Sequence, residues 1–411
     1  MPRKPNDFLD SPLGLRIQHS RSISRRAWIH IDGIEPRAKR SMPESEKDDV
    51  QRVLLKQMIR RRRRAFKGPL ALRLTIGTSH KTPAHSHTTA KNLLDLFGKP
   101  RPTLATRRRA LLYHDDRQIH GLSVTCHHGE ATPTIRVDAR PMRDLLTDLG
   151  IVYELPADGD GSLNDHWSEF DMAFEQWGDF RRDEVEWRAR LGDEEYEYLA
   201  RYHRARAQEQ LLGRAALKPV HLARMYDVNG LGPNVLRIWD ELFAQSPFKI
   251  RLGELPQTVG SSAQYEADIR TSLTAFQTRL GPLLVPIALE VIVKPPPPSR
   301  QMVVHDLDNV VRDYLIPNVL DIFKPASDYA FTLDDDARKS LARLARGNKQ
   351  IPLPPLSTSV GVTRYEAWRL PPANEGSEGY VQMALVNDLT GYGELFGQID
   401  TIVDRWSDKL E

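Results

Sequence analysis

The apolar positions of the chain switch between two periods, and the same succession of periods occurs twice. Trp28-Ile29-His30-Ile31-Asp32 alternates as a half-buried strand does and stops at Gly33. From Glu46 to Arg64 the spacing becomes helical, with Val50, Val53, Leu54 and Met58 on one face. Gly68-Pro69 breaks that pattern, and Leu70 to Ile76 predicts a strand. After a His-rich loop, Lys91 to Phe97 predicts a short helix, closed by Gly98 and Pro100. Ile119 to Cys126 and Thr132 to Ala139 flank Gly129 and predict a hairpin. The order then returns. Phe248 to Gly253 parallels the first strand, and Ala263 to Leu280 is a helix with Ile269, Leu273 and Phe276 on one face. Gly281-Pro282-Leu283 repeats Gly68-Pro69-Leu70, and Ile287 to Val293 repeats the apolar strand. Ser359 to Leu370 and Tyr380 to Val386 stand where the first hairpin stands.

This pattern predicts an α+β chain of two α/β repeats, residues 27–140 and 247–387, arranged as a pseudo-dimer within one polypeptide. The second repeat carries an insertion, residues 328–355. Residues 141–246 read as a helical insert, whose Trp167, Phe170, Phe174 and Trp177 fit a core stripe better than a base-stacking platform. Residues 1–26 read as a basic flexible arm and 388–411 as a terminal helix. Asp227 to Pro233 contains a G-x-G, but no strand leads into it, so it is set aside as a nucleotide loop.

Composition adds one asymmetry. The 411 residues carry a formal charge of +3, yet residues 1–110 hold 26 Lys and Arg against 9 Asp and Glu, a net of +17 that leaves −14 for the remainder. A basic half of this kind is the footprint of a phosphate-backbone binder. The run Arg60, Arg61, Arg62, Arg63 and Arg64 exceeds what a helix C-terminus needs, and Arg107, Arg108 and Arg109 add a second cluster. No apolar run approaches a membrane span, and Arg3 and Lys4 have no apolar stretch behind them, so a cytoplasmic setting is expected. Cys126 is the only cysteine, which excludes an intrachain disulfide.

The candidate chemistry lies at His305-Asp306-Leu307-Asp308-Asn309, followed by Val310-Val311-Arg312. Taken alone, D-x-D-N is a helix cap, with Asp and Asn accepting from free backbone N–H groups. The same pair of carboxylates at a helix start also suits a hard divalent cation, which takes oxygen ligands. In the repeat frame, Asp306 to Arg312 lies over Thr89-Ala90-Lys91-Asn92-Leu93-Leu94-Asp95.

In this frame the chain resembles the RusA-type Holliday-junction resolvases, dimeric Mg²⁺-dependent endonucleases. Asp306, Asp308 and Asn309 match that family's D-x-D-N helix, with Arg312 where the family has Lys, and Asp115-Asp116-Arg117-Gln118-Ile119 matches its D-D-R-Q-I strand. The resemblance covers both repeats and implies hydrolysis of phosphodiesters in branched DNA, with Mg²⁺, or Mn²⁺ in its place, held by three carboxylates. It also breaks in each repeat. The first keeps Asp115 and Asp116 but has Thr89, Lys91 and Asp95 in the other motif, and a lysine at a ligand position repels a cation. The second keeps Asp306 and Asp308, with Glu366 nearest in register to a third carboxylate. Three outcomes stay open. Asp306 and Asp308 join Glu366 or one of Asp334, Asp335 and Asp336. They join Asp115 or Asp116 across the pseudo-dimer. Or no site works, and the protein binds DNA structure as a subunit of a larger complex, with the 141–246 insert offering a surface to a protein partner. Arg312 would then add charge at the scissile phosphate, and Asn309 would contact nucleic acid.

Seven of the 13 histidines, His80, His85, His87, His114, His120, His127 and His128, fall in one segment. With Cys126 they offer a Zn²⁺ or Mn²⁺ site in principle, although loop histidines facing phosphate or solvent account for them better.

Overall fold

The alternating stretch is an edge strand in the computed structural model, which describes residues 11–81, 85–154, 176–228, 249–256, 262–280, 283–299, 303–325, 360–387 and 394–409. In β1 (Ala27–Asp32) alternate residues are buried, and the residues between them face outward. The first half continues with α2 (Glu44–Arg60), β2 (Leu70–Thr78), α3 (Ser86–Gly98), β3 (Ile119–His128) and β4 (Thr134–Pro141). The second half supplies β5 (Lys249–Arg251), α8 (Ser262–Leu280), β6 (Ile287–Lys294), α9 (Leu307–Asn309), a π-helical turn (Val310–Leu315), α10 (Ile316–Phe323), β7 (Arg364–Arg369) and β8 (Tyr380–Asn387).

All eight strands form one mixed sheet, ordered β1-β4-β2-β3-β7-β6-β8-β5. The order reads the same from both edges: first, fourth, second and third strand of one half, then third, second, fourth and first of the other. β2 runs parallel to β3 and β6 parallel to β7, and the halves join where β3 and β7 pair antiparallel. The expected hairpins are therefore corrected. β2 lies between β3 and β4, and β6 between β7 and β8. The reason is burial. β2 and β6 are buried along most of their length on both faces, which suits central strands, so they insert between neighbours that sequence proximity would have paired.

Pleating sorts the two faces. Leu72, Leu74, Val124, Tyr365, Leu289 and Val291 belong to the core packed under the helices of the two halves. Ala71, Ile292, Trp368 and Leu370 belong to a second core on the other side of the sheet. That core is covered by α4 (Met142–Glu154), α7 (Pro219–Met225) and α11 (Leu395–Lys409). The 141–246 segment is helical where described, but α4 and α7 act as a layer on the sheet. Its middle helices, α5 (Glu184–Leu191) and α6 (Asp193–Ala215), share a small core of Phe180, Leu191, Tyr196 and Leu199. Trp177 packs on that core, whereas Trp167, Phe170 and Phe174 lie outside the described residues.

The flexible arm is also corrected: residues 12–25 form α1 (Pro12–Arg25), with Ser11 accepting from the Gly14 N–H at 3.2 Å and proline in the first turn. α1 is anchored by charge rather than by an apolar stripe. Arg25 donates to Asp144 at 2.7 and 2.8 Å, and His19 meets Asp148 at 3.1 Å and Asp404 at 3.2 Å.

The junction of the halves has one exacting contact. A Cβ placed on Gly121 would lie 2.6 Å from one ring carbon of fully buried Trp368, its partner across β3 and β7. Gly121→Val is expected to destabilise the fold by about 3 kcal/mol, the upper range for overpacking a tight core. A thermal melt that leaves Tm unchanged would show that the junction is looser than described.

Candidate metal centre

Asp115 and Asp116 precede β3, at a tight turn (Asp116–Gln118) that the D-D-R-Q sequence builds by itself. The Gln118 side-chain oxygen accepts from the Asp115 N–H at 3.0 Å and the His114 N–H at 2.8 Å, while its amide donates to the Gly68 carbonyl at 3.0 Å. Arg117 donates to Asp115 from its backbone and from its side chain, both at 2.9 Å, and holds that carboxyl down at about 2.

Asp306 comes from the other half. It stands at the N-cap of α9 but does not cap the helix, since its side chain takes no backbone N–H there. Instead Asp306 Oδ2 accepts from the Asn309 side chain at 2.9 Å, and Oδ1 is buried without a hydrogen-bond partner. Burial, reinforced by the charges of Asp116 and Asp308, pushes its carboxyl up to about 6. Ligand atoms of Asp115, Asp116 and Asp306 all lie within 4.8 Å of one another, the one group of metal-ligating side chains of this kind among the described residues. The three open into a cleft of ≈ 680 Å³ that Lys39, Asp95 and Tyr113 also line. Three carboxylates so close together, one of them with a buried unpartnered oxygen, are a donor set that fits a hard divalent cation.

Lys91 was not foreseen as a site residue. Its Nζ is 2.9 Å from Asp116, 3.0 Å from Asp308 and 3.3 Å from Asp95. Burial opposes the charged ammonium, but Asp308 and Asp116 raise it above the ordinary lysine value. Asp308 is itself buried, and burial raises its carboxyl while Lys91 opposes the rise. The signal lay in the repeat frame. Lys91 and Asp308 occupy matching positions on α3 and on the segment beginning α9, and the two helices meet.

Glu366 does not join the cluster. It lies inside β7, between Tyr365 and Ala367, and its carboxylate accepts from the Leu395 N–H at 3.1 Å on the face covered by α11. There it stands in register with Ser123 and Glu290. Burial pushes Glu366 up to about 8 and Glu290 to about 7. The native state thus holds protons that the unfolded chain releases near pH 4.5. Stability from this source is complete below that pH and is lost as pH rises towards about 8. Glu366→Gln is expected to raise Tm by a few degrees at pH 9 and to leave it nearly unchanged at pH 5. An equal Tm difference at both pH values would contradict this.

Other sequence candidates disperse. Arg312 pairs with Asp313 at 2.6 Å, and Asn309 orients Asp306. Arg60 and Arg61 are exposed, as are Arg107 and Arg109, while Arg108 is half-buried, and none of them lines the acidic cleft. Asp334, Asp335 and Asp336 lie outside the described residues. The histidines form no metal group among the described residues. Burial depresses His87 and His120 to about 4 and raises Cys126 to about 12, so none of these is poised for chemistry near neutrality. Among the described residues, no helix is long and apolar enough to cross a membrane.

The chain is thus a mixed α+β protein with an acidic cluster assembled from both halves of its sequence. No family model, no curated protein and no solved structure matches it.

Proposed function

We propose that the chain is a fused pseudo-dimer of RusA-like repeats and acts as a metal-dependent endonuclease on branched DNA, with one composite active site. The observation that carries this reading is the convergence of Asp115 and Asp116 from the first half with Asp306 from the second. The palindromic strand order supports the duplication, with Ser123 of β3 paired to Glu366 of β7 at the centre. Asp115, Asp116 and Asp306 would hold Mg²⁺ or Mn²⁺. When bound, the cation would supply Lewis-acid polarisation of a phosphodiester and charge neutralisation. Asn309 orients Asp306 for this role, and Arg117 keeps Asp115 ionised. Lys91 holds Asp116 in place and offers an ammonium beside the phosphate position.

A second reading is favoured by Lys91 itself. Its ammonium already neutralises Asp116 and Asp308, as it would in a protein that only binds DNA structure within a larger assembly. A cleavage panel separates the two: a four-way junction, a forked duplex and a linear duplex, each with Mg²⁺ and with Mn²⁺. The enzyme reading predicts cuts near the branch in at least one branched substrate and none in metal-free buffer. Salt-sensitive binding with no cleavage of any substrate would leave the binding reading.

A further inference from the structure

A second concavity, ≈ 1030 Å³, adjoins the acidic cleft, and Arg117 and Val304 line both. Its lining combines nine Lys and Arg side chains with no carboxylate among the described residues. One wall is the segment after α2. There Arg62 takes a left-handed conformation (φ 52°), where glycine is the usual residue, and the Arg63 N–H closes the helix end on the Met58 carbonyl at 2.8 Å. The chain then carries Arg62, Arg63, Arg64 and Lys67 along the groove, and none of the four makes an ion pair among the described residues. Arg143 of α4 lines the groove as well, with its side chain 75 % exposed. Between the cations the surface is apolar, built from Leu146, Val293, Leu370 and the rings of Pro69, Pro295 and Pro371.

Cations above an apolar floor select among nucleic-acid forms. A duplex turns its phosphates outward and keeps its base faces stacked inside, so it satisfies the arginines and leaves the floor wet. A single strand offers both phosphates and unstacked base faces. We propose that this groove seats a single-stranded DNA segment, the unpaired arm leaving a branch whose scissile phosphate lies at the acidic centre. The inference rests on the nucleic-acid reading above, and names the strand form which that site receives.

The test is binding in EDTA, so that cleavage plays no part. Fluorescently labelled oligo-dT, an abasic oligonucleotide of equal length and a blunt duplex are titrated against the full chain. Oligo-dT is expected to bind about tenfold tighter than the abasic strand and tighter than the duplex. Arg62→Glu with Arg63→Glu and Arg64→Glu, and separately Arg143→Glu, are expected to weaken oligo-dT binding by about tenfold or more. All these positions are at least partly exposed, and an unchanged Tm confirms that each variant folds. Arg201→Glu, exposed on α6 away from the groove, is expected to change binding far less. Equal affinity for dT and abasic strands, or equal loss with Arg201→Glu, would overturn the proposal. Cleavage of a junction alongside such a result would leave the endonuclease reading standing. Loss of dT binding in the groove variants of a chain that never cleaves would uphold the groove and remove the enzyme.

Discussion

Asp306→Asn and Asp116→Asn are each expected to lower Mg²⁺-dependent cleavage of branched DNA by about 10²- to 10³-fold, the scale on which one preorganised electrostatic element contributes to a rate. The two residues lie in different halves of the chain, so equal sensitivity to both is what a composite centre requires. Neither change should unfold the protein. In the absence of metal, burial and, next to it, the like charges of Asp116 and Asp308 raise the Asp306 carboxyl to about 6, so replacing it with a neutral amide removes a buried charge and relieves repulsion. Tm in EDTA should therefore stay level or rise slightly in Asp306→Asn, and fall only modestly in Asp116→Asn, which loses its ion pair with Lys91, while the Tm gain on adding Mn²⁺ to the wild type disappears in both variants. Wild-type cleavage by either variant would contradict the assignment.

Arg140→Ala is expected to have the largest effect on stability. Arg140 is fully buried, and its Nη1 sits 2.9 Å from Asp148 and 3.0 Å from Asp400, with the guanidinium 5.3 Å from the Phe396 ring centroid. Arg26 reaches the same two carboxylates at 3.4 and 2.9 Å. This network ties α1, α4, β4 and α11 together. Removing one cation leaves buried carboxylates short of a partner, which costs about 3–5 kcal/mol. Arg140→Lys keeps the charge and should lose less. The comparison is read from urea unfolding, and an Arg140→Ala midpoint equal to that of wild type would show the network to be dispensable.

The recurring order of strands and helices was legible in the sequence because each element carries its own period: Val50 to Met58 and Ile269 to Phe276 mark helices in corresponding places. Strand neighbours were less so. The apolar run Ile287 to Val293 of β6, broken only by Glu290, was the available sign of a central strand, yet closeness along the chain suggested a hairpin. α1 escaped notice because His19, Arg25 and Arg26 anchor it through partners at Asp144, Asp148 and Asp400, all more than a hundred residues away. At the site, Asp115, Asp116, Asp306 and Asp308 were all nominated from their motifs; the meeting of Asp115 and Asp116 with Asp306 was among three outcomes left open, whereas Asp308 stands outside that group and pairs with Lys91. Glu366 was drawn in by its register in the repeat frame opposite Asp115 and Asp116, but one residue of strand register decides the face, and its face is the wrong one. Lys91 was read within its own repeat, as a charge that spoils a site. Across the repeat boundary it faces Asp308, where the same charge has a partner.

The composite centre is tested most directly by counting metal. Titration of the full chain with Mn²⁺, followed by electron paramagnetic resonance of the free ion, should give one site per chain. That site should weaken by at least about tenfold in Asp116→Asn and in Asp306→Asn alike, and persist in Glu366→Gln. Binding that survives in either aspartate variant, or that falls with Glu366→Gln, would contradict a centre shared between the two halves.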